Sequence, residues 1–330
     1  MMSRKSRLST ACAAIMGMSL AVFSVAVPAQ EFPTKLVRII VPNPPGGPTD
    51  VVARLLGQRL GDRWKQTVLV ENRAGASGAI GAEFVAKSAP DGHTLLIGNS
   101  ASNGSYEILQ PSVPYRTLRD FAPVSFIAGA PIILLVRSSL EARTLKEYVA
   151  LAKANPGKLN YASSAVGSAN QFAQEALNIA AGIKTTHVPF NGNAPALQAI
   201  MAGTVDSFMA SISGPVTSAL RDGRIRALAV ANAKRTAQMP DLPTTGELGF
   251  AGVEYEPYYG MLAPAATPVS TLDKLNIDAN AVMDGPDTEA LLRKMGYDRR
   301  LGTRTDFMQF LKGLQDRIER VVKEAGIKAE

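Results

Sequence analysis

Residues 35–64 read KLVRIIVPNPPGGPTDVVARLLGQRLGDRW, and this stretch contains the unit from which the fold is built. The apolar run 35–42 predicts a buried strand. Residues 49–64 repeat their apolar side chains at helical spacing, which predicts an amphipathic helix. Between them lies PNPPGGPTD (42–50), where prolines stiffen the turn and glycines let the backbone bend sharply. The stretch therefore predicts a strand, a tight loop and a helix in immediate succession.

The same alternation continues along the chain. A helix at 78–92 between strands at 67–72 and 93–99 completes a βαβαβ order, which predicts a parallel, doubly wound sheet. A second α/β set follows, and the last third holds the apolar stretch 258–264. The remaining predicted elements are strands at 122–138, 159–164, 184–190, 205–211 and 225–232, and helices at 144–158, 168–182, 193–203, 214–224, 269–283 and 304–326. Two α/β lobes with a ligand between them are the expected architecture.

The N-terminus has the order of a secretory signal peptide. Three basic residues precede an apolar run that ends in small residues, so we predict a signal peptide at 1–29, cleaved after Ala29. A membrane anchor is the alternative, but the apolar run is short for a full span. A lipoprotein would need Cys12 after the apolar run, whereas it lies at its start. The predicted localisation is periplasmic.

Composition limits the classes of function. Apolar residues make up 46% and charged residues 19% of the chain, which is typical of a globular protein. Cleavage removes the single cysteine, so the mature chain could form no disulfide. It also removes three of the 35 basic residues, leaving 32 against 28 acidic ones and a net charge of +4 instead of +7. The sequence contains no basic cluster with interleaved aromatic residues, so it does not suggest nucleic acid as a partner.

The loops after the predicted strands share a composition rich in Gly, Ser, Asn and Thr. Nearly all of them run into a helix N-terminus, where free backbone N–H groups and the helix dipole favour anions, carboxylates included. Several such loops around one cleft would form a receptor for a small organic anion. The other interpretation is purely structural, because any α/β fold uses these residues in turns and helix caps.

Sequence evidence for an enzyme is weak. The glycine pair in the first loop lacks the lysine of a phosphate-binding P-loop, and the pattern G-x-S-x-G is absent. Only two histidines occur, His93 and His187, and neither has metal-ligand neighbours at the usual spacing. We therefore predict no catalytic residues, no metal and no cofactor.

Seven longer stretches carry a specific resemblance. They include VRIIVPNPPGGPTDVVARLLGQRL, VLVENRAGASGAIGAEFVAKSAPDGHTLLIGN, PYRTLRDFAPVSFIA and HVPFNGNAPALQAIMAGTVDSF, and the likeness extends from Phe32 to the C-terminus. The chain resembles the periplasmic solute receptors of tripartite tricarboxylate transporters, the Bug-type binding proteins. The resemblance implies a type II periplasmic-binding-protein fold, in which two α/β lobes enclose a ligand cleft. It also implies lobe borders at 30–130 plus 246–330 and at 131–245.

The resemblance further implies which residues hold the ligand, mainly through backbone amides. Asp50 is an exception: its carboxylate would repel a carboxylate ligand, so we assign it to capping the helix or holding the loop, with Thr49 as the other candidate cap. The positions that match the family's ligand contacts, or that line the cleft beside them, are Asn43, Gly46, Gly47, Thr49, Asp50, Ala76, Ser77, Ser100, Gly167, Ser168, Gln171, Phe190, Asn191, Gly192, Asn193 and Ala210.

Three of these positions depart from the family's pattern. Gln171 stands where a histidine is common, Ala210 near a common aspartate, and Asn43 where an aromatic residue often precedes the double proline. A buried ammonium group is stabilised by a carboxylate partner, because burying an unpaired charge is costly. The missing aspartate therefore predicts that α-amino acids do not bind tightly, and sub-micromolar calorimetric affinity for glutamate or aspartate would contradict this.

The predicted function is an exported receptor that captures a carboxylate-bearing organic acid and presents it to the membrane permease subunits of such a transporter. Hinge closure would follow if the closed form binds ligand better. One alternative is an orphan receptor that delivers the ligand signal to a sensor kinase, and a weaker one is a periplasmic enzyme on the same scaffold. A monomer is expected.

Overall fold

The computed structural model describes residues 32–327, so the predicted signal peptide lies outside the described residues. Within this range, none of the helices is both long enough and apolar enough to cross a membrane. The strands of the described chain are β1 Val37–Val41, β2 Val68–Asn72, β3 Thr94–Asn99, β4 Phe121–Gly129, β5 Ile132–Arg137, β6 Asn160–Ser163, β7 Thr186–Pro189, β8 Ser207–Ser211, β9 Ile225–Val230, β10 Tyr258–Pro264 and β11 Asp298–Arg299.

Helices cover both sheets and occupy most of the predicted helical segments. A 3₁₀ turn at Ala76–Gly78 and a π turn at Ala101–Ser105 precede two of the helices. The α-helices are α1 Pro48–Trp64, α2 Ala79–Ala86, α3 Tyr106–Leu109, α4 Thr117–Asp120, α5 Leu145–Ala154, α6 Ala169–Ala181, α7 Asn193–Ala202, α8 Gly214–Arg221, α9 Val269–Met283, α10 Pro286–Lys294 and α11 Arg304–Ala325.

The strands form two sheets, and we call each sheet with its helices a lobe. The first lobe has six strands in the order β11-β4-β10-β3-β1-β2, and the second has five in the order β7-β6-β8-β5-β9. The predicted α/β architecture with two lobes is confirmed. The predicted parallel pairing of the βαβαβ stretch is confirmed, since β1 is parallel to β2 and to β3. The sheets as a whole are mixed, because β10 is antiparallel to β3 and β4, and β5 is antiparallel to β8 and β9.

The reversed strands have a common physical cause. The chain enters the second lobe at β5 and returns to the first lobe at β10, and both strands begin at the edge of the sheet that faces the other lobe. A strand that starts at this edge must run away from it, whereas β1, β3, β6 and β8 run toward it. Each crossing therefore inserts an antiparallel strand into an otherwise parallel set.

The first crossing also corrects the predicted strand 122–138. This segment is two strands, β4 and β5, separated by Ala130 and Pro131 and assigned to different sheets. Both strands are almost fully buried, so the apolar run continues through the crossing without a polar interruption. Hydropathy alone therefore could not locate the change of lobe.

Backbone hydrogen bonds join the two crossings to each other. The Ala130 amide donates to the Pro257 carbonyl over 2.8 Å, and the Ala231 amide donates to the Ile132 carbonyl over 2.8 Å. The Tyr255 amide donates back to the Ala231 carbonyl over 2.9 Å. Two segments that are hydrogen-bonded to each other therefore connect the lobes.

Helix α6 of the second lobe makes a second connection between the lobes, because it contacts α11 of the first lobe and also the second crossing. Phe172 of α6 stacks on Tyr255 with ring centroids 5.6 Å apart and an interplanar angle of 9°. One continuous apolar cluster includes buried residues of both lobes around this contact. Because apolar burial is the dominant stabilising term, this contact stabilises the arrangement of the lobes seen here.

A buried carboxylate fastens α1 to α9 in the first lobe. Asp278 accepts hydrogen bonds from Arg63 Nε at 2.7 Å, Trp64 Nε1 at 2.7 Å and Lys274 Nζ at 3.0 Å. Burial by itself would raise the pKa of Asp278, but the bonds from Trp64, Arg63 and Lys274 outweigh it and hold the pKa below its ordinary value of 3.8. The ionised form is therefore the stabilising one.

We expect Asp278→Ala to lower the free energy of unfolding at pH 7 by about 2–3 kcal/mol, because the substitution leaves the hydrogen-bond donors of a buried carboxylate without their acceptor. A carboxyl group whose pKa is lower in the folded state stabilises the protein at pH values above its unfolded-state pKa. This stabilisation is lost as the pH falls through the folded-state pKa. The difference from wild type should thus shrink below pH 3.8. Urea titrations followed by Trp64, the single tryptophan, measure this.

Asp273→Ala is the matched control for this prediction. Asp273 lies on the same helix, but its side chain is 56% exposed and forms a surface ion pair with Arg304. Surface pairs contribute little to stability. Equal destabilisation by both variants would show that the buried network around Asp278 contributes no more to stability than a surface ion pair.

Candidate functional site

The carboxyl ends of the parallel strands of both lobes face one cleft, which has two connected chambers. Four residues line both chambers: Pro48, Ala169, Pro257 and Tyr259. The polar chamber, about 550 Å³, is lined by Asn43, Pro44, Pro45, Gly47, Pro48, Thr49, Asn99, Ser100, Ala101, Ser105, Gly167, Ser168, Ala169, Tyr255, Pro257, Tyr258 and Tyr259.

The apolar chamber continues from the polar one toward β8 and β11 and has a volume of about 670 Å³. Volumes of this size are typical of sites for small organic ligands. Its lining is Pro48, Ala130, Ser164, Ala169, Asn170, Asn193, Ala194, Leu197, Gln198, Met201, Phe208, Ala210, Ser211, Ile212, Ser213, Pro215, Val216, Pro257, Tyr259, Met295 and Tyr297.

The loop after β1 presents backbone rather than charge to the cleft. Gly47 is the N-cap residue of α1 and Pro48 its first helical residue, with no side chain capping the helix. The prediction that Thr49 or Asp50 caps α1 is therefore wrong, since both lie inside the first turn. Pro48 has no N–H, so the amides of Thr49 and Asp50 are the donors that this helix start can offer to an anion.

Asp50 holds this loop from behind. It is 3% exposed and accepts hydrogen bonds from the Gly46 amide, Arg54 Nε and Asn72 Nδ2, each at 2.9 Å. Burial alone would raise the pKa of Asp50, but the bonds from Arg54, Gly46 and Asn72 lower it below its ordinary value of 3.8. The carboxylate is thus fully engaged by the protein, as the loop-holding role requires.

The loop after β3 joins the same wall through Asn99. Asn99 Nδ2 donates to Asn43 Oδ1 at 2.7 Å and to Thr49 Oγ1 at 3.4 Å. Ser100 Oγ accepts from the Tyr258 amide at 2.9 Å. Sequence reasoning selected Ser100 but missed Asn99, although its loop, GNSASN, has the composition of the other candidate loops. The two loops are consequently fixed to each other at the base of the polar chamber.

The second lobe contributes the start of α6 to the polar chamber. Ser168 is the N-cap residue of α6, and its Oγ is buried with no hydrogen-bond partner among the described residues. The Gly167 amide donates to Gln171 Oε1 at 2.7 Å, so Gln171 shapes the loop and does not line the cleft. A buried hydroxyl without a partner at a helix start is a place where a ligand would be stabilising.

The remaining predicted site residues divide into two groups. Asn193 and Ala210 line the apolar chamber, whereas Gly46 supports the first loop through its bond to Asp50. Ala76 and Ser77 are exposed in a turn with positive φ and line neither chamber. The lining also leaves out Phe190, Asn191 and Gly192.

Sequence reasoning missed the aromatic wall. Tyr258 and Tyr259 come from the start of β10, Tyr255 from the second crossing and Tyr297 from the residue before β11. The rings of Tyr259 and Tyr297 contact each other with centroids 5.1 Å apart. The run EYEPYYG at 254–260 was the available signal, because it places three tyrosines within five residues at the start of a strand.

The cleft contains no formal charge. Among the described residues that line either chamber there is no Asp, Glu, Lys, Arg or His, and residues 32–327 contain no cluster of three potential metal ligands. Helix starts and backbone amides are thus the electrostatic features of the site, and they favour an anion.

One serine–histidine pair does occur among the described residues. Ser163 Oγ lies 2.6 Å from His187 Nε2 and also contacts the Ala165 carbonyl at 2.9 Å. Ser163 is fully buried, and burial lowers the pKa of His187. His187 also stacks on Tyr161 with centroids 4.9 Å apart. A nucleophile needs access to substrate, so this pair supports the loop and performs no chemistry.

Comparison with known proteins identifies relatives over nearly the whole chain. The family model "Tripartite tricarboxylate transporter family receptor", TctC, matches residues 52–327. Protein BugT of Bordetella pertussis is 33% identical over 318 residues, which cover 96% of this chain and 97% of BugT.

Solved structures show the same similarity. The structure of R. palustris Rpa4515 with adipate has 33% sequence identity and a TM-score of 0.70, covering 90% of this chain and 99% of that one. A TctC solute binding protein from Polaromonas has a TM-score of 0.81 at 23% identity, covering 89% and 99%. The second likeness supports the fold alone.

Proposed function

Since the chain belongs to the tripartite tricarboxylate transporter receptor family, we propose that it captures a carboxylate-bearing organic acid in the cleft and delivers it to a membrane permease. The family and its structural neighbours are solute-binding proteins and not enzymes, and its members are periplasmic. We place this chain in the periplasm as well, exported by the signal peptide at 1–29.

The start of α6 in an uncharged cleft is the observation that carries this proposal. Ser168 Oγ is buried without a partner, and the first amides of α6 have no intrahelical acceptors. The start of α1 lines the same chamber from the other lobe. Two helix N-termini and a free hydroxyl match the charge and the oxygen acceptors of a carboxylate. Adipate, named with the R. palustris structure, is an acid of this kind.

Capture would proceed by closure of the lobes around the ligand. We propose lobe borders at 30–130 plus 246–330 and at 131–245, supported by the assignment of every strand in these ranges to a single sheet. The hydrogen-bonded crossings at 130–131 and 231–257 would form the hinge. A ligand bonded to both lobes favours the closed form because only that form offers all its contacts.

Of the predicted positions, we propose direct ligand contact for Asn43, Gly47, Thr49, Ser100, Gly167 and Ser168, which line the polar chamber. Asp50, Gly46 and Gln171 would act by holding the loops. This division separates the residues that meet the ligand from the residues that hold their loops in place.

A thermal-shift screen tests the proposal. We expect organic acids, but not their neutral amides, to raise the melting temperature, because the helix starts favour an anion. A ligand at a hundred times its Kd adds about 2.7 kcal/mol to stability. Amides stabilising the protein as well as acids would contradict recognition of a carboxylate.

A further inference from the structure

A chain of hydrogen bonds links the ring of His187 to the loop after β6, which lines the polar chamber through Gly167. The Gly167 amide donates to Gln171 Oε1 at 2.7 Å, and Gln171 Nε2 lies 3.3 Å from His187 Nδ1. On the other side of the ring, His187 Nε2 lies 2.6 Å from Ser163 Oγ, which donates to the Ala165 carbonyl at 2.9 Å. The chain therefore begins and ends on backbone groups of one loop.

These two backbone groups determine where every proton of the chain lies. An amide N–H can only donate, so Gln171 must turn its oxygen to Gly167 and its NH₂ group to His187. Nδ1 of His187 must then accept, which leaves the proton of the neutral ring on Nε2. Nε2–H donates to Ser163 Oγ, whose own proton goes to the Ala165 carbonyl. The chain is thus complete only while His187 is neutral.

A second proton on His187 would break this chain at a defined place. Nδ1–H would face the Gln171 NH₂ group, and two donors cannot bond to each other. Rotating the Gln171 amide satisfies the ring, but it turns the NH₂ group toward the Gly167 amide. A hydrogen bond from a charged donor is stronger than one from a neutral donor. The Gln171 oxygen therefore turns to the imidazolium, and the Gly167 amide loses its acceptor.

The surroundings of His187 allow this protonation in acid. The ring is only partly buried, and burial lowers its pKa below the ordinary value of 6.5, so it is neutral at pH 7. Tyr161 of β6 stacks on the ring and donates its hydroxyl proton to Glu175 of α6. Glu175 is the one charged residue of α6, while β6, β7 and α7 of the described chain have none. Lys158 and Lys184, which precede β6 and β7, are exposed. No cation of these four elements opposes a charge on the ring.

We infer that His187 is a proton-sensitive positioning residue of the cleft, which in its neutral form holds Gln171 and, through Gln171, the Gly167 amide in the ligand-binding arrangement. This inference rests on the proposed function and adds a regulation of the same site. Gly167 lines the polar chamber beside Ser168, so a loop released by protonation must be ordered again upon binding. Affinity for an organic acid should therefore fall as His187 is protonated.

NMR of the ligand-free protein tests the inference without any ligand. The ring protons of His187 give its titration midpoint, and the Gly167 amide resonance should shift with the same midpoint. In Gln171→Glu, a carboxylate can accept from the Gly167 amide and from Nδ1–H together. The His187 midpoint should rise in this variant, while the Gly167 amide stays bonded. A Gly167 resonance that does not follow the His187 titration, or a ring still neutral at pH 5, would overturn the inference.

Calorimetric titration of succinate, adipate and hexanoate between pH 5 and pH 8 tests the effect on binding. The reference is His187→Asn, which keeps an acceptor near the place of Nδ1 but cannot titrate, so the ratio of wild-type to variant affinity cancels the ligand's own protonation. One pH unit below the midpoint only about a tenth of the molecules hold neutral His187, so this ratio should be about tenfold lower than at pH 8.

His93→Asn is the matched control, because it removes the other histidine of the chain, which lines neither chamber. We expect it to keep the wild-type pH profile. A wild-type to His187→Asn ratio that stays constant with pH would overturn the inference and leave the proposed function standing. No binding of any of the three acids at pH 8 would instead contradict the proposed function, and the NMR titration would still decide whether His187 controls the loop.

Discussion

Asp50→Ala is expected to weaken carboxylate binding at least tenfold although Asp50 lines neither chamber of the cleft. Its two carboxylate oxygens tie the Gly46 amide, Arg54 and Asn72 together behind the first loop. Without them, Gly46 and Gly47 regain the freedom that glycine allows, and the loop must be ordered again upon binding. A cost of about 1.4 kcal/mol for this ordering corresponds to the tenfold loss.

The stability of Asp50→Ala should fall by about 1–3 kcal/mol, because hydrogen-bond partners of a buried carboxylate are left behind. Because the folded-state pKa of Asp50 is lowered, this stabilisation exists at neutral pH and is lost as the pH falls below 3.8. Isothermal calorimetry and urea titration at pH 7 measure the two effects.

Asp62→Ala is the control for Asp50→Ala. Asp62 lies on the same helix, α1, but is exposed. We expect this variant to bind and unfold like the wild type. If Asp50→Ala also retained wild-type affinity, the loop after β1 would not depend on its carboxylate for the binding geometry.

Gly296→Ala is expected to lower affinity at least tenfold by holding the lobes apart. Gly296 lies between α10 and β11 of the first lobe, and a Cβ there would be 1.8 Å from the Ile212 carbonyl oxygen of the second lobe. Backbone atoms cannot move aside cheaply, so the lobes must separate by more than an ångström at this point. The cleft then loses its two-sided contact with the ligand.

Gly249→Ala separates this effect from backbone strain. Gly296 and Gly249 both have positive φ, +83° and +94°, but a Cβ on Gly249 would meet nothing within 4 Å. The positive φ by itself should cost each variant about 1 kcal/mol of stability. Gly296→Ala should lose more because of its backbone clash, and only Gly296→Ala should lose affinity in calorimetry. Equal affinities would mean that ligand binding does not need the lobe arrangement seen here.

Much of the fold could be predicted because local patterns and tertiary burial agree. The amphipathic segments 49–64 and 193–203 and the short apolar runs between them correspond closely to observed elements. Helix α10 was missed because its sequence, PDTEALLRK, carries too few apolar residues for a clear helical period. The change of lobe between β4 and β5 was hidden by uniform burial.

The candidate site could be predicted only where it is local in sequence. The strand-to-helix loops were found because glycine, serine and proline are visible in one stretch of chain. The aromatic wall was missed because Tyr259 and Tyr297 lie far along the chain from the loop at 42–50. Only the register of β10 beside β3, in which Tyr259 pairs with Asn99, brings them to the cleft.

The most direct measurement is a calorimetric titration of the best acid from the thermal-shift screen into wild type and Ala169→Trp. Ala169 lines both chambers, so an indole there would fill the junction between them. Ala165→Trp is the control, because Ala165 is exposed in the same loop and lines neither chamber. One-to-one binding by wild type and Ala165→Trp, with at least a hundredfold loss in a folded Ala169→Trp protein, is the predicted result. Wild-type affinity in Ala169→Trp would show that the acid does not bind in the cleft.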